Sequence, residues 1–140
     1  MKIIFSDNLI TGNKTIDDQH KELISRIDQF VKACEERDGK VTAIKMLDYL
    51  ADYTEFHFSA EEKLQQDVGY PGYADHKAKH DEFKATITAL HSYLDELDGP
   101  DQIFVDRVKT KVVDWLFGHI ETFDRSVAEY IFLVDHPDRL

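Results

Sequence analysis

Seven side chains in this sequence have the types and intervals to hold metal ions: His20, His57, Glu61, His76, His80, His119 and Asp124. His57/Glu61 and His76/His80 are four residues apart, which on a helix puts each pair on one face, a turn apart, aimed at a common point. His119 and Asp124 are five apart, an interval that a regular α-helix splays by roughly 140°. Their convergence requires a π-type turn or two groups reaching around opposite flanks. Gly118 and the loss of heptad phase between His119 and Phe123 favour a local irregularity. Five neutral imidazoles and two carboxylates are too many for one tetrahedral zinc. Imidazole with carboxylate suits iron, and with less ease manganese, copper or zinc. Two octahedral ions offer about twelve places. The imidazoles fill five, two bridging carboxylates four, and a shared oxygen bridge two. One place stays open, and a buried, apolar slot around it admits only something small and uncharged.

The elements that must position these groups follow from the punctuation. Asp38-Gly39, Gly69-Tyr70-Pro71-Gly72 and Asp98-Gly99-Pro100 are turn signals. The proline-free, periodic segments between them predict helices over 18–37, 41–66, 74–97 and 102–132, after an irregular leader of residues 1–16. A first apolar stripe runs Leu23, Ile24, Ile27, Phe30, Val31, Cys34. A second runs Ile44, Leu47, Leu50, Thr54, His57, Glu61, Leu64, and a third His76, His80, Phe83, Ile87, Leu90, Leu94, Leu97. Steps of three and four are the seam of helices packed nearly (anti)parallel. Short connections make sequential helices antiparallel neighbours, so the expected fold is all-α: one domain over 1–140, an up-down-up-down antiparallel four-helix bundle. In that topology the starts of helices one and three share an end with the finishes of two and four. At about 1.5 Å per residue, all seven polar groups then fall in one slab toward that end. Polar groups on core-facing stripes are costly unless paired or metal-bound.

Length and composition bound the function. A chain of 140 residues is one domain's worth and buries roughly 68–70% of its unfolded surface. With 42% apolar and 32% charged residues it is globular, and six Gly with three Pro leave little room for an all-β fold. Seventeen Lys plus Arg against twenty-eight Asp plus Glu gives −11. That balance disfavours nucleic acid and anionic membrane as partners and is compatible with binding cations. The single Cys34 excludes an internal disulfide and fits a reducing compartment. Met1-Lys2-Ile3-Ile4-Phe5 gives way to Ser6-Asp7-Asn8 too soon for a signal peptide, and no stretch has the 18 or so apolar residues of a membrane span. A cytoplasmic location is expected.

The chain resembles the hemerythrin family, in its bacterial single-domain form. The residues that carry the resemblance cover most of the chain: Ile16-Asp17-Asp18-Gln19-His20, His57-Phe58-Ser59-Ala60-Glu61-Glu62, Tyr70-Pro71, His76-Lys77-Ala78-Lys79-His80, and Trp115-Leu116-Phe117-Gly118-His119-Ile120-Glu121-Thr122-Phe123-Asp124. The HxxxE and HxxxH pairs are weak signals alone, whereas the ordered set is specific. The resemblance implies two iron ions (Fe2+/Fe3+) with an oxo or hydroxo bridge. By it, His76, His80 and His119 would hold a coordinatively full iron, His20 and His57 the iron with the open place, and Glu61 and Asp124 would bridge. It implies reversible O2 binding at that place, with two electrons from the iron pair and a proton from the bridge. Ferritin-like sites carry four Glu with two His; predominantly neutral imidazoles should hold the pair ferrous more readily. Leu116, Trp115 and Phe58 are candidates for an apolar wall that denies water and protons to bound oxygen. Where the family's leader commonly carries Trp, this chain has Phe5.

Other polar residues read as structural. His91, eleven residues past His80, lies about 16 Å along the helix and is expected to be no ligand; His136 is expected in solvent, Cys34 as a buried thiol. Glu62 is expected to face outward, and Asp95-Glu96-Asp98 to end a helix. Two functions of different class follow. One is O2 binding for storage, delivery or sensing, without turnover, with O2 as the small-molecule ligand and no external redox partner needed. The other is a di-iron enzyme reducing peroxide or O2, or oxidising a small substrate. The first is favoured, since the sequence shows no evident buried acid or base beyond the ligands. A sensor module acting through a partner is a variant of the first, made less expected by the lack of a signalling segment within these residues.

Overall fold

Asn13 decides where the first helix starts. Its side-chain oxygen accepts the Ile16 N–H at 3.1 Å, an N-cap that satisfies one of the orphan donors of the first turn. In the computed structural model, which describes residues 3–36 and 39–139, α1 therefore runs Lys14–Glu35. Lys14, Thr15 and Ile16, expected in the leader, form its first turn. The expected end at Arg37 and the Asp38 half of the first turn lie outside the described residues, as do Met1, Lys2 and Leu140. Helix α2 spans Lys40–Asp67, and Gly69, at φ 65°, turns the chain out of it in a backbone conformation suited to glycine. Helix α3 spans Tyr73–Asp95, ending two residues before the expected Leu97, whose N–H bonds instead to the Leu94 carbonyl at 3.1 Å in a tightened last turn. Asp101 caps the fourth helix by accepting the Phe104 N–H at 2.8 Å.

The fourth helix, α4, runs over 102–135 without a break but not in one form. Its backbone passes into π geometry at Lys109–Asp114 and again at Ile120–Asp124. At the second site the Arg125 N–H bonds to the Ile120 carbonyl, five residues back. It continues to Asp135, three residues past the expected end at 132. Helix α1 packs on α2, α2 on α3, and α4 against α1 and α3: an all-α four-helix bundle, with no strand among the described residues.

The core comes in two parts. The larger, around Leu23, Ile27, Phe30, Leu50, Phe83 and Phe104, fills most of the bundle. A smaller cluster of Ile16, Val127, Ala128 and Ile131, with Leu64 packed against it, closes the other end. Each fully buried Leu, Ile or Phe contributes roughly 1.5–3 kcal/mol relative to exposure, so the larger cluster dominates stability. Between the two clusters lie the polar residues.

The leader is pinned over this end. Buried Asp17 accepts from the Thr11 N–H at 2.9 Å, the Thr11 hydroxyl at 2.7 Å and the Gly12 N–H at 3.2 Å. Gly12 sits at φ 91°, a left-handed conformation that disfavours a side chain. Arg125 donates to the carbonyls of Asn8 and Ile10, and Asn8 donates to Glu121 at 2.7 Å. Leu9 is thereby buried against the bundle.

Candidate metal centre

All four helices contribute to the polar slab: His20 from α1, His57 and Glu61 from α2, His76 and His80 from α3, His119 and Asp124 from α4. The four-residue intervals on α2 and α3 bring each pair to one face as the spacing requires. On α4 the π turn at Ile120–Asp124 adds one residue to the turn, so groups five apart point the same way. All seven side chains are buried. Their nitrogen and oxygen atoms form two groups, each with all members within 4.8 Å of one another. One is Glu61, His76, His80, His119 and Asp124; the other is His20, His57, Glu61 and Asp124. The carboxylates belong to both.

Each carboxylate divides its oxygens between the groups. Glu61 Oε1 is 2.8 Å from His76 Nε2 and 3.7 Å from His80 Nε2, while Oε2 is 3.4 Å from His57 Nε2. Asp124 Oδ1 is 2.9 Å from His76 Nε2 and 3.1 Å from His119 Nε2, while Oδ2 is 2.8 Å from His20 Nε2. Three imidazoles thus face one edge of both carboxylates and two face the other.

Most of these close approaches are not hydrogen bonds. The buried atoms His20 Nε2, His57 Nε2, His80 Nε2, Glu61 Oε2 and both Asp124 oxygens have no hydrogen-bond partner. Buried polar atoms left unsatisfied each cost about 1–3 kcal/mol, and six of them converging on one place is not how a core is satisfied by itself. Imidazole nitrogens and carboxylate oxygens converging with their hydrogen-bonding capacity unmet are a donor set for cations, and the donor types fit a transition metal.

Outer contacts set the tautomers. His57 Nδ1–H donates to Gln19 Oε1 at 2.7 Å, and His80 Nδ1–H to Glu62 Oε2 at 2.9 Å, leaving each Nε2 lone pair pointing inward. Glu62, expected to face outward, is instead turned toward α3 by this bond. Gln65, which the sequence reading passed over, is fully buried, with its amide nitrogen 3.1 Å from His76 Nδ1 and 3.4 Å from Glu61 Oε1. Its signal was its position, one turn after Glu61 on the same stripe.

Aromatic rings wall the site. Phe58 stacks on His80 at 3.8 Å and lies 5.7 Å from His57, so it touches both groups. Trp115 stacks on His119 at 4.6 Å and donates its indole N–H to Glu82 at 3.1 Å. It therefore walls the three-histidine side, not the two-histidine side. Phe123 covers His119 and His76, and Leu116 is buried in the larger core. His91 stands apart, bonded to Asp48 and Asp95 at 3.2 Å. The His136 ring donates to the Phe132 carbonyl at 2.8 Å in the exposed tail, and Cys34 is buried.

The charges follow from these surroundings. Burial pushes His57 down to about 4. It works against charge on His76 as well, but the Asp124 and Glu61 carboxylates outweigh it and raise that group to about 9. His20 is likewise raised in spite of burial, by Asp124 first. Burial pushes Asp124 up, yet His119, His20 and His76 hold its carboxyl well below the usual carboxylate range.

A family model described as the hemerythrin HHE cation binding domain matches residues 11–131. The chain is 31% identical over 134 residues to a bacteriohemerythrin of Pseudomonas aeruginosa, covering 96% of this chain and 82% of that protein. It is 33% identical over 110 residues to the bacteriohemerythrin of Methylococcus capsulatus, covering 78% and 80%. Among solved structures, a wild-type hemerythrin aligns with a TM-score of 0.76 at 28% identity, covering 85% of this chain and 88% of that one. A hemerythrin with one leucine changed to alanine aligns at 0.81 and 26% identity, covering 93% and 98%.

Proposed function

This chain belongs to the hemerythrin family, and on that premise we propose that it binds O2 reversibly at a non-haem di-iron centre, for oxygen storage, delivery or sensing. The observation that supports this most directly is the division of the Glu61 and Asp124 oxygens between a set of three imidazoles and a set of two. In this reading His76, His80 and His119 would hold one iron and His20 and His57 the other, with Glu61 and Asp124 offering an oxygen to each. The ligand count leaves the open place at the two-histidine iron. Iron moving between its ferrous and ferric states supplies the electrons that reversible O2 binding needs.

The protein does the rest. Gln19 and Glu62 hold the Nδ1–H bonds that aim His57 and His80 inward. With five neutral imidazoles against two carboxylates, the site favours the ferrous level more than a ferritin-like set of four Glu and two His. Phe58, fully buried against the rings of His57 and His80, excludes water from the slab, and Leu116 is buried in the larger core that adjoins it. The proposal assigns no catalytic turnover and no ligand but O2. It places the chain in the cytoplasm, where its single buried thiol, Cys34, is stable.

The test is direct. The purified protein should carry two irons per chain. Reduced without air, then aerated, then purged with inert gas, it should gain and lose an absorbance band over repeated cycles. Irreversible oxidation with continued O2 consumption would overturn the proposal in favour of a di-iron enzyme.

A further inference from the structure

The centre is buried, so a gas must reach it through the protein. A groove between α3 and α4, along Ala89, Leu90 and Tyr93, contains none of the seven metal-site residues. A second groove, at Tyr70 and Glu121, meets the ring of Phe123, which lies over His119 and His76 on the three-histidine side. A third cleft, between α1 and α2, has a volume of about 190 Å³ and is lined by Ile16, Gln19, Ala60, Glu61 and Leu64 among others. It holds Glu61 itself.

The positions of the lining residues relate the cleft to one side of the centre. Ile16 precedes His20 by one turn of α1, and Gln19 bonds the ring of His57. Ala60 and Leu64 flank Glu61 on α2, one turn and two turns past His57. The cleft therefore opens on the helices that carry His20 and His57, where the ligand count leaves the open place. Its walls at Ile16, Ala60 and Leu64 are apolar, and its rim carries a Lys63–Asp67 ion pair at 2.9 Å along α2. At several times the roughly 30 Å³ share of one water, the cleft is large enough for a diatomic gas. Apolar walls offer such a molecule contact that they deny to an ion.

We propose that the α1–α2 cleft is the access route by which O2 reaches the two-histidine side, with Ile16, Ala60 and Leu64 as its neck and Gln19 at its inner end. This rests on the O2-binding reading above. Ala60 is the position that controls passage: a half-buried methyl group lining the cleft, next in sequence to Glu61.

Two measurements test it. In crystals of the full chain under xenon pressure, xenon, an apolar probe of small cavities, should lie among Ile16, Ala60 and Leu64, and should be absent there in Ala60→Phe. In stopped flow, Ala60→Phe should slow O2 association with the reduced protein about tenfold, as a barrier higher by about 1.4 kcal/mol would, with iron content unchanged. Ala89→Phe, in the α3–α4 groove, should leave the rate alone. If Ala60→Phe does not fold, Leu64→Ala serves instead and should speed association. An unaltered rate in Ala60→Phe or Leu64→Ala, or xenon absent from the native cleft, overturns the route. Should the protein take up no O2 at all, the reading of function fails, and the xenon position still decides whether the cleft admits an apolar gas.

Discussion

A proton on His76 and a metal ion compete for the same space. Raised to about 9 by the carboxylates of Asp124 and Glu61, the metal-free His76 is protonated at neutral pH, with its Nε2 within 3.1 Å of Glu61, Asp124 and His119. A metal must displace that proton, so the apparent affinity for ferrous ion should rise with pH up to about 9, about tenfold per pH unit for each proton released. His57, pushed down to about 4, is already neutral and releases none. Ferrous titrations at several pH values in weak buffer read both the slope and the proton count; an affinity flat from about pH 7 to 9 would show that no proton stands in the way. His57 allows a second prediction. His57→Ala leaves the two-histidine set with one imidazole, so iron content should fall from two per chain toward one and oxygenation should vanish. The helical circular-dichroism spectrum should persist, since the substitution removes none of the apolar side chains of the larger core, such as Leu23, Ile27, Phe30 and Phe104. Reversible oxygenation in this variant would contradict the assignment.

At the scale of the helix, α4 asks for its unusual geometry at one place and carries it at two. The π turn at Ile120–Asp124 answers the five-residue interval between His119 and Asp124. Gly118, just before His119, has no such need: it is exposed, helical, and a Cβ there would meet nothing within 4 Å. Glycine in a helix interior costs roughly 0.5–1 kcal/mol relative to alanine, so Gly118→Ala should raise stability by about that amount in urea denaturation and leave iron content intact. A loss of stability would mean that α4 uses the freedom of Gly118 to enter its π turn. Elements of this kind separate what the sequence shows from what it hides. The 3-4 stripes name the four helices, and the i,i+5 interval signals a departure from α geometry, because side-chain periodicity must match burial. The π segment at Lys109–Asp114 has no comparable sign: a slipped backbone hydrogen bond needs no particular residue, and no pair of ligands spans it. The seven polar positions stand out because apolar stripes exclude them. Gln65 does not, since one more polar residue on the α2 stripe has no partner until α3 brings His76 against it. The inward turn of Glu62 is hidden for the same reason, since it depends on His80 across the helix interface.

Across the whole molecule, the polar slab divides the core into a large cluster and a small one, and the two should not respond alike to metal removal. Without ions, the slab keeps buried nitrogens and oxygens with no hydrogen-bond partner, each costing about 1–3 kcal/mol. Ions that bind the folded state alone stabilise it by about 4 kcal/mol at a thousandfold excess over Kd. The small cluster of Ile16, Val127, Ala128 and Ile131 lies beyond the slab, joined to the main core through it, while the leader held by Asp17 and Arg125 also reaches the large cluster through Ile3 and Leu9. Stripping iron with a chelator should therefore lower the melting temperature and, below the melt, loosen this end first. Amide exchange should quicken around His20, Glu61, Asp124 and the first turn of α3. Amides near Phe30, Leu50, Leu94 and Phe104, deep in the large cluster, should stay protected until global unfolding. Returning ferrous ion should restore both. Exchange that quickens uniformly along all four helices would mean that the bundle folds as one cooperative unit, with the metal slab as integral to it as any apolar layer.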